Sequence, residues 1–306
     1  MRAVVLINRS AGSSTAPEDS LQDIVGKILT ASGIEPEFRY VAPLELQREV
    51  ASAVAQRVEL VVACGGDGTV SSVASGVVGT DVILGVVPLG TLNHFAKDLN
   101  IPLDLAAAAQ VLAAGCVKTI DVGEVNDRIF INNSSLGVYS QLALERDAQR
   151  KKWGIGKWFA LCLAGVKMLV RFPMVNVRLE ADEKSRTRRS PVVFVGNNEY
   201  QFDPMRVGTR LSLDEGQLSL YVANTQSRWG ILRLTLRALL GGLPQAQDLE
   251  ASKHTDVWVT SRRRTLMVAA DGEVVRMQPP LHYRIRPQSL RVCVPASGSA
   301  PCGAAP

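Results

Sequence analysis

Gly65, Gly66, Asp67, Gly68 and Thr69 place three glycines, one carboxylate and one hydroxyl between an apolar run, residues 58–63, and a helical pattern, residues 69–78. Glycines let a backbone bend sharply and come close to a ligand. The N–H groups of such a turn, and of the helix end behind it, can hold an anion, typically a phosphate. Thr69 can cap the helix and donate to the same phosphate, and Ser71 follows two residues on. Asp67 adds negative charge there, so its uses are a Mg²⁺-linked contact or a hydrogen bond that orients a substrate. The same residues would also serve as a plain strand-to-helix turn with Asp67 or Thr69 as cap. The loop is not a Walker A loop, whose Gly-Lys-Ser/Thr ending is absent, nor a GxGxxG turn.

Two further loops fall on the same side. Residues 88–96, PLGTLNHFA, follow the next apolar run and supply Gly90, Thr91 and Asn93. Taken alone they read as an Asn-capped helix with Phe95 and Leu99 turned inward. A polar loop from Asn8 to Gly12 ends the first apolar run. In an open α/β sheet, ligands bind outside the carboxyl ends of the strands. Three polar, glycine-bearing loops at three strand ends point to a nucleotide cleft.

The elements that would carry these loops alternate. Strands are expected at residues 3–7, 37–41, 58–63 and 82–87, with helices from residue 21 to Gly33, at 44–56, at 69–78 and at 103–114. That rhythm predicts a doubly wound α/β domain with an open, largely parallel sheet over residues 1–120. It changes near Thr119. A hairpin is expected at Asn126-Asp127, and helices at 157–171 and 229–240. Short apolar runs at 175–179, 192–196, 218–222, 257–259, 266–270 and 290–294 read as strands of a mainly β second domain, residues 121–295, whose final strand can return to the first. Residues 296–306 are Ala, Gly, Pro, Ser and Cys, a composition expected of a disordered tail.

The bulk properties bound the class. A chain of 306 residues, 46% hydrophobic and 21% charged, reads as a soluble globular protein of one large or two ordinary domains. A formal charge of +5 suits an anionic partner without selecting among nucleotide, nucleic acid and acidic membrane. Long Lys/Arg arms are missing, and no aromatic-basic face or nucleic-acid module appears, so a nucleic-acid partner is not expected. Five scattered cysteines, with apolar neighbours around Cys64 and Cys162, suggest free thiols in a reducing compartment. The apolar start is too short for a secretory signal, and no run reaches the length of a membrane span. The expected location is the cytoplasm.

Five segments, "INRSAG", "CGGDGTVSSV", "PLGTLNHFAKDLNIP", "IDVGEVNDRIFINNSSLGVYS" and "VAADGEVV", fall in order over almost the whole chain. Together they resemble the diacylglycerol kinase catalytic-domain family of lipid kinases, which includes bacterial diacylglycerol kinases and sphingosine and ceramide kinases. The resemblance implies an N-terminal α/β domain with ATP-binding loops and a C-terminal β-sandwich domain that closes over the cleft. It implies nucleotide contacts at Asn8, Gly65, Gly66, Asp67, Gly68, Thr69, Ser71, Gly90, Thr91 and Asn93. It gives Glu273, in Asp271-Gly272-Glu273, the acid/base role, with Asp271 assisting Mg²⁺. Read without the family, Asp271-Gly272-Glu273 is a polar hairpin turn. Some bacterial members hold a structural Mg²⁺ at an Asp-Gly turn of the β domain. Here that turn offers Ser212, Glu215 and Gln217, with Glu215 standing where the pattern has Asp, and a plain acidic turn explains it equally well. His94 stands where the family often has an acid, and Tyr40 or Val41 where it tends to have a threonine beside the adenosine.

A lipid kinase takes its acceptor from a bilayer. Arg146, Arg150, Lys151, Lys152 and Lys157 lie beside Trp153 and Trp158, a composition that suits peripheral contact with the inner face of an anionic membrane. A solvated loop before a core helix has the same composition. The Arg262-Arg263-Arg264 run reads as a solvated turn. The leading expectation is therefore an ATP- and Mg²⁺-dependent lipid kinase acting on diacylglycerol, with room for a homodimer. Other readings are a ceramide, sphingoid-base or other lipid-alcohol kinase, an NAD kinase, and a silent nucleotide- or lipid-binding regulator. NAD kinases share GGDGT, but PLGTLNHFA and the late Asp-Gly-Glu favour the lipid kinases. A silent regulator would be signalled by loss of Asp67 or Glu273, and both are present.

Overall fold

The computed structural model describes residues 1–9, 18–137, 174–181, 184–200, 209–210, 212–224, 227, 230 and 249–296. The chain divides into two compact units, one of Met1–Val122 with Pro287–Pro306, the other of Gly123–Arg286. The expected segments 146–158 and 157–171, all of 229–240 save residue 230, and the tail after residue 296 lie outside the described residues.

In the first unit, strand and helix alternate: β1 (Arg2–Asn8), α1 (Glu18–Ala31), β2 (Glu35–Val41), a 3-10 turn at Pro43–Glu45, α2 (Leu46–Ala55), β3 (Leu60–Gly65), α3 (Asp67–Val77), β4 (Ile83–Pro88), α4 (His94–Asp98) and α5 (Leu105–Ala114). β1 runs parallel to β2 and β3, and β3 parallel to β4. The last half of a long strand, β16 (Leu281–Cys293), extends the sheet beside β4, with Val292 opposite Leu84. A strand from Val117–Val125, β5, pairs in turn with β16. Every residue of β3 and β4 is buried, as strands covered on both faces must be. Alternate residues divide between the faces. Val5, Ile7, Val62 and Cys64 pack with Val25 and Leu29 of α1 and Leu112 of α5. The intervening Val4, Leu6, Val61 and Ala63 are buried on the opposite face. This is the doubly wound arrangement that the alternation predicts.

Cys64 and Cys293 are buried free thiols, whereas Cys116 is disulfide-bonded, against the expectation of free thiols throughout. Its partner lies outside the described residues. Burial pushes the Cys64 thiol far above its ordinary value and the Cys293 thiol up to about 12. Above the ordinary thiol value of 9.0 the unfolded chain has released these protons and the folded chain has not. The unfolded state then binds fewer protons, so stability must fall as pH rises from there. The expected slope is about 1.4 kcal/mol per pH unit for each thiol. Urea melts at a series of pH values on the alkaline side should show this decline. A flat profile there would contradict the burial of both groups.

Among its described residues, the named elements of the second unit are all strands. A six-stranded sheet runs β12 (Leu249–His254), β11 (Leu218–Ala223), β10 (Val192–Asn197), β7 (Asn133–Gly137), β14 (Leu266–Ala270) and β15 (Glu273–Met277), with antiparallel neighbours. A second layer runs from the first half of β16 through β13 (Asp256–Thr260) and β8 (Val175–Ala181) to β9 (Lys184–Ser190), again antiparallel. Short β6 (Arg128–Phe130) forms a hairpin with the end of β5. Leu136, Val193, Val195 and Val268 of one layer share a single core with Val177, Val257, Val259 and Tyr283 of the other. That shared core makes the unit a β-sandwich. Among the described residues no helix is long and apolar enough to cross a membrane.

Candidate active site

β3 ends at Gly65, opposite Pro88 of β4, so the two loops leave neighbouring strands at the same level. α3 begins at once, with Gly66 as N-cap and no side-chain cap. The first-turn N–H groups of such a helix are open to an anion, and the helix dipole favours one there. The second loop touches the first. A Cβ on Gly90 would stand 2.5 Å from the Gly66 Cα, and one on Gly66 3.3 Å from the Gly90 Cα. A Cβ is therefore shut out at Gly90 and crowded at Gly66. Asn93, buried and left-handed at φ 50°, clamps the loop: its Oδ1 accepts from Gly90 N–H (3.0 Å) and its Nδ2 donates to the Gly90 carbonyl (2.9 Å).

The remaining predicted residues of this unit sort by what they touch. Thr69 is buried, and its hydroxyl accepts from Asn8 Nδ2 at 2.8 Å, which ties the end of β1 to the start of α3. Asp67 Oδ1 accepts from the Phe95 N–H at 3.2 Å, tying α3 to α4. Its other oxygen has no partner among the described residues. Gly68 and Thr91 are exposed, and Ser71 is half-buried. Asn8, Thr69, Asn93 and one oxygen of Asp67 therefore hold the loops in shape, while Gly68 and Thr91 are exposed and Gly66 is half-buried. His94 is exposed as well, and Phe95 is fully buried. Tyr40 spends its hydroxyl on Gln22 Oε1, at 3.4 Å.

In the second unit, β14 and β15 meet through a two-residue turn, Asp271-Gly272, with Ala270 paired to Glu273. Both turn residues have positive φ, 48° and 86°, the mark of a type I′ hairpin. The Asp271 carboxylate then reaches back to residues 131–133, which lead into β7. Its Oδ2 accepts from Ile131 N–H (2.8 Å) and its Oδ1 from Asn132 N–H (2.9 Å) and Asn133 N–H (3.1 Å). Its own N–H donates to the Asn133 carbonyl at 2.9 Å. These contacts tie the turn, and with it Glu273 two residues on, to residues 131–133. Glu273 itself is exposed and paired with the Arg128 guanidinium. Arg128 follows another type I′ turn, Asn126-Asp127, with φ 45° and 64°. Two tight hairpins thus present the ion pair.

Sequence reasoning singled out neither Arg128 nor the buried group behind the turn. Arg210, 6% exposed, donates to the Ile131 carbonyl (2.6 Å), the Asn197 carbonyl (3.2 Å) and Asn132 Oδ1 (2.9 Å). Asn197 Nδ2 also donates to the Ile131 carbonyl, at 2.9 Å. The signal for Arg128 was its place directly after a legible Asn-Asp turn. Nothing local marks Arg210.

At the turn expected to hold a structural cation, the carboxylate already has a cationic neighbour. The Glu215 carboxylate stands 3.6 Å from Lys253 Nζ, which also pairs with Glu199 at 2.6 Å. The Gln217 carbonyl accepts from Asn198 N–H at 3.0 Å, and Ser212 Oγ bonds Asp214. An ammonium group already answers the carboxylate, and Glu199 holds Lys253 above its ordinary value. Among the described residues no group of three or more His, Cys, Asp and Glu side chains could hold a metal ion.

Comparison with known proteins covers both units. Residues 2–125 match the diacylglycerol kinase catalytic domain, and residues 136–294 match the YegS C-terminal NAD kinase beta sandwich-like domain. A diacylglycerol kinase of Staphylococcus saprophyticus is 26% identical over 84% of this chain and 86% of its own. One of Staphylococcus epidermidis is 30% identical over 68% of this chain and 69% of its own. A solved diacylglycerol kinase from Bacillus anthracis superposes with a TM-score of 0.70 at 18% identity, over 96% of both chains. A second Bacillus anthracis chain gives 0.75 at 20% identity, over 96% and 97%. With its motifs, its two folds and these matches in agreement, the chain belongs to the diacylglycerol kinase catalytic-domain family and is a lipid kinase.

Proposed function

We propose that this enzyme transfers the γ-phosphoryl group of ATP to a lipid hydroxyl, with diacylglycerol as acceptor and phosphatidic acid as product. The acceptor oxygen forms the new bond to phosphorus, the bond from phosphorus to the ADP oxygen breaks, and the hydroxyl proton passes to the Glu273 carboxylate. The observation that carries this reading is Glu273 itself, an exposed carboxylate held beyond a tight hairpin by Arg128, in a chain whose relatives are named diacylglycerol kinases. The phosphates of ATP fit the uncapped start of α3, with Gly66, Gly68 and Thr91 close by and Asn8, Thr69 and Asn93 shaping the loops. Mg²⁺ fits here as the counter-ion of those phosphates, where it neutralises charge. The unpartnered oxygen of Asp67 is the carboxylate that would meet it. The acceptor lies in a bilayer, so the enzyme works peripherally at the inner face of the membrane.

Gly68 gives a sharp test of the nucleotide site. It is helical and exposed, and a Cβ there would meet no atom within 4 Å. Alanine at a helical site is worth about 1 kcal/mol more than glycine. Gly68→Ala should therefore melt no lower than wild type yet weaken ATP binding by about tenfold or more, because its methyl group stands where the phosphates approach. Unchanged affinity in calorimetric titration would remove the phosphates from this loop. The acceptor is tested by transfer from labelled ATP to dispersed diacylglycerol, ceramide, sphingosine, monoacylglycerol and phosphatidylglycerol, with NAD as soluble control. Label confined to diacylglycerol is expected. Label in another lipid alone would reassign the acceptor.

A further inference from the structure

The second unit carries a basic cavity that neither the phosphate-binding loops nor Glu273 uses. Its volume is about 610 Å³, and its lining includes Arg178, Arg188, Arg189, Arg262 and Arg263 but no carboxylate. Three chain segments supply these arginines: β8, β9 and the turn after β13. Strand register brings them together, because Asn176 lies opposite Arg189, Thr187 opposite Arg178, and Arg178 opposite Thr260. Three are already engaged. Arg178 Nε pairs with Glu180 at 2.9 Å, Arg188 Nη2 with Glu250 at 3.2 Å, and Arg263 Nη2 donates to the Met174 carbonyl at 3.2 Å. Arg189 and Arg262 have no ionic partner among the described residues.

An edge strand often carries cations to discourage edge-to-edge pairing. That explains charge on β9. It does not explain why a turn beyond β13 adds two more guanidinium groups to the same hollow. Arg189, Arg262 and Arg263, which no carboxylate among the described residues answers, line one cavity, and like charges so placed repel each other unless an anion stands among them. Their planar forks match the oxygen pairs of a phosphate. The volume falls within the range of small-ligand sites, so it admits a phosphate with its substituents.

We propose that this cavity binds a phosphate-bearing anion, with Arg189 and Arg262 as its free arms. A phospholipid headgroup and a free phosphate ester share that chemistry. The test uses the full chain without turnover. Sedimentation is measured with vesicles of phosphatidylcholine alone and with added phosphatidic acid or phosphatidylglycerol. Calorimetric titration uses inorganic phosphate and glycerol 3-phosphate. Saturable binding is expected, weakened about tenfold or more in the R189A/R262A double variant and only partly restored in R189K/R262K, which keeps the charge but loses the fork. Both residues are exposed, so the double variant should melt with wild type. Binding of the soluble phosphates, lost in the variant, assigns the site to a free ester. Binding confined to acidic vesicles assigns it to a headgroup. Arg264, outside the lining, is the charge control. The proposal is overturned if no probe binds saturably, if R189A/R262A binds like wild type, or if R264A weakens binding as much.

Discussion

Glu273→Gln should lower phosphoryl transfer by about 10²–10⁴-fold, the span of a lost general base. ATP affinity should stay within about twofold of wild type, because an acceptor-side group contributes to transfer and not to nucleotide binding. The substitution keeps the size of the side chain. It leaves Arg128 with a neutral partner at an exposed position, where an ion pair contributes little to stability. The melting temperature should therefore barely move. Steady-state transfer and calorimetric ATP titration on one preparation would separate the two effects. A variant retaining more than about half the rate would remove Glu273 from the chemistry, since no base of the stated factor could be lost so cheaply.

Asp271→Ala should act in the opposite way, first on the fold and then on the rate. Three backbone N–H groups of residues 131–133 bond to its carboxylate, in a partly buried place. Hydrogen bonds to a charged acceptor are worth about 1.5–3 kcal/mol each, and some of the orphaned donors would reach water. A net loss of about 3–5 kcal/mol is expected. For a cooperative unit of the size of Gly123–Arg286 that is a fall of roughly 6–20 °C in melting temperature. Activity should also drop at temperatures where the variant is still folded, because the turn that carries Glu273 has lost its anchor. Asp271→Asn, which keeps one acceptor oxygen, should lie between. If Asp271→Ala melted with wild type, the carboxylate would be free for another task.

Much of the first unit was legible because its signals are local. Buried parallel strands show as unbroken apolar runs, and helices as 3.6-residue spacing. The second unit was half legible. β8, β10, β11, β13 and β14 carry apolar runs, but β7, β9, β12 and β15 do not. β9 reads Lys-Ser-Arg-Thr-Arg-Arg-Ser and β12 Leu-Glu-Ala-Ser-Lys-His, and among the described residues both end their sheets, with most of their polar residues partly or fully exposed. β7 is central, yet it buries Ser134 and Ser135, small polar residues that resemble a loop in sequence. The glycine loops were legible as anion cradles. The division of labour within them was not: that Asn93 clamps Gly90, or that Thr69 turns inward to Asn8, depends on residues far apart in the chain or on a left-handed backbone. The pairing of Arg128 with Glu273 spans 145 positions and leaves no trace in either segment.

The return of β16 to the first unit also sets an order of events during synthesis. A chain that has been made only as far as Val122 holds β1 to β4 but lacks Pro287–Cys293, the segment that covers the β4 edge and buries Leu290 and Val292. At about 5–20 residues per second, roughly 10–35 s pass before the ribosome supplies it. The β-sandwich residues, Gly123–Arg286, are complete before then. The half of the enzyme encoded first is thus the half finished last. Until translation reaches Cys293, its open strand edge is the surface a chaperone would have to shield.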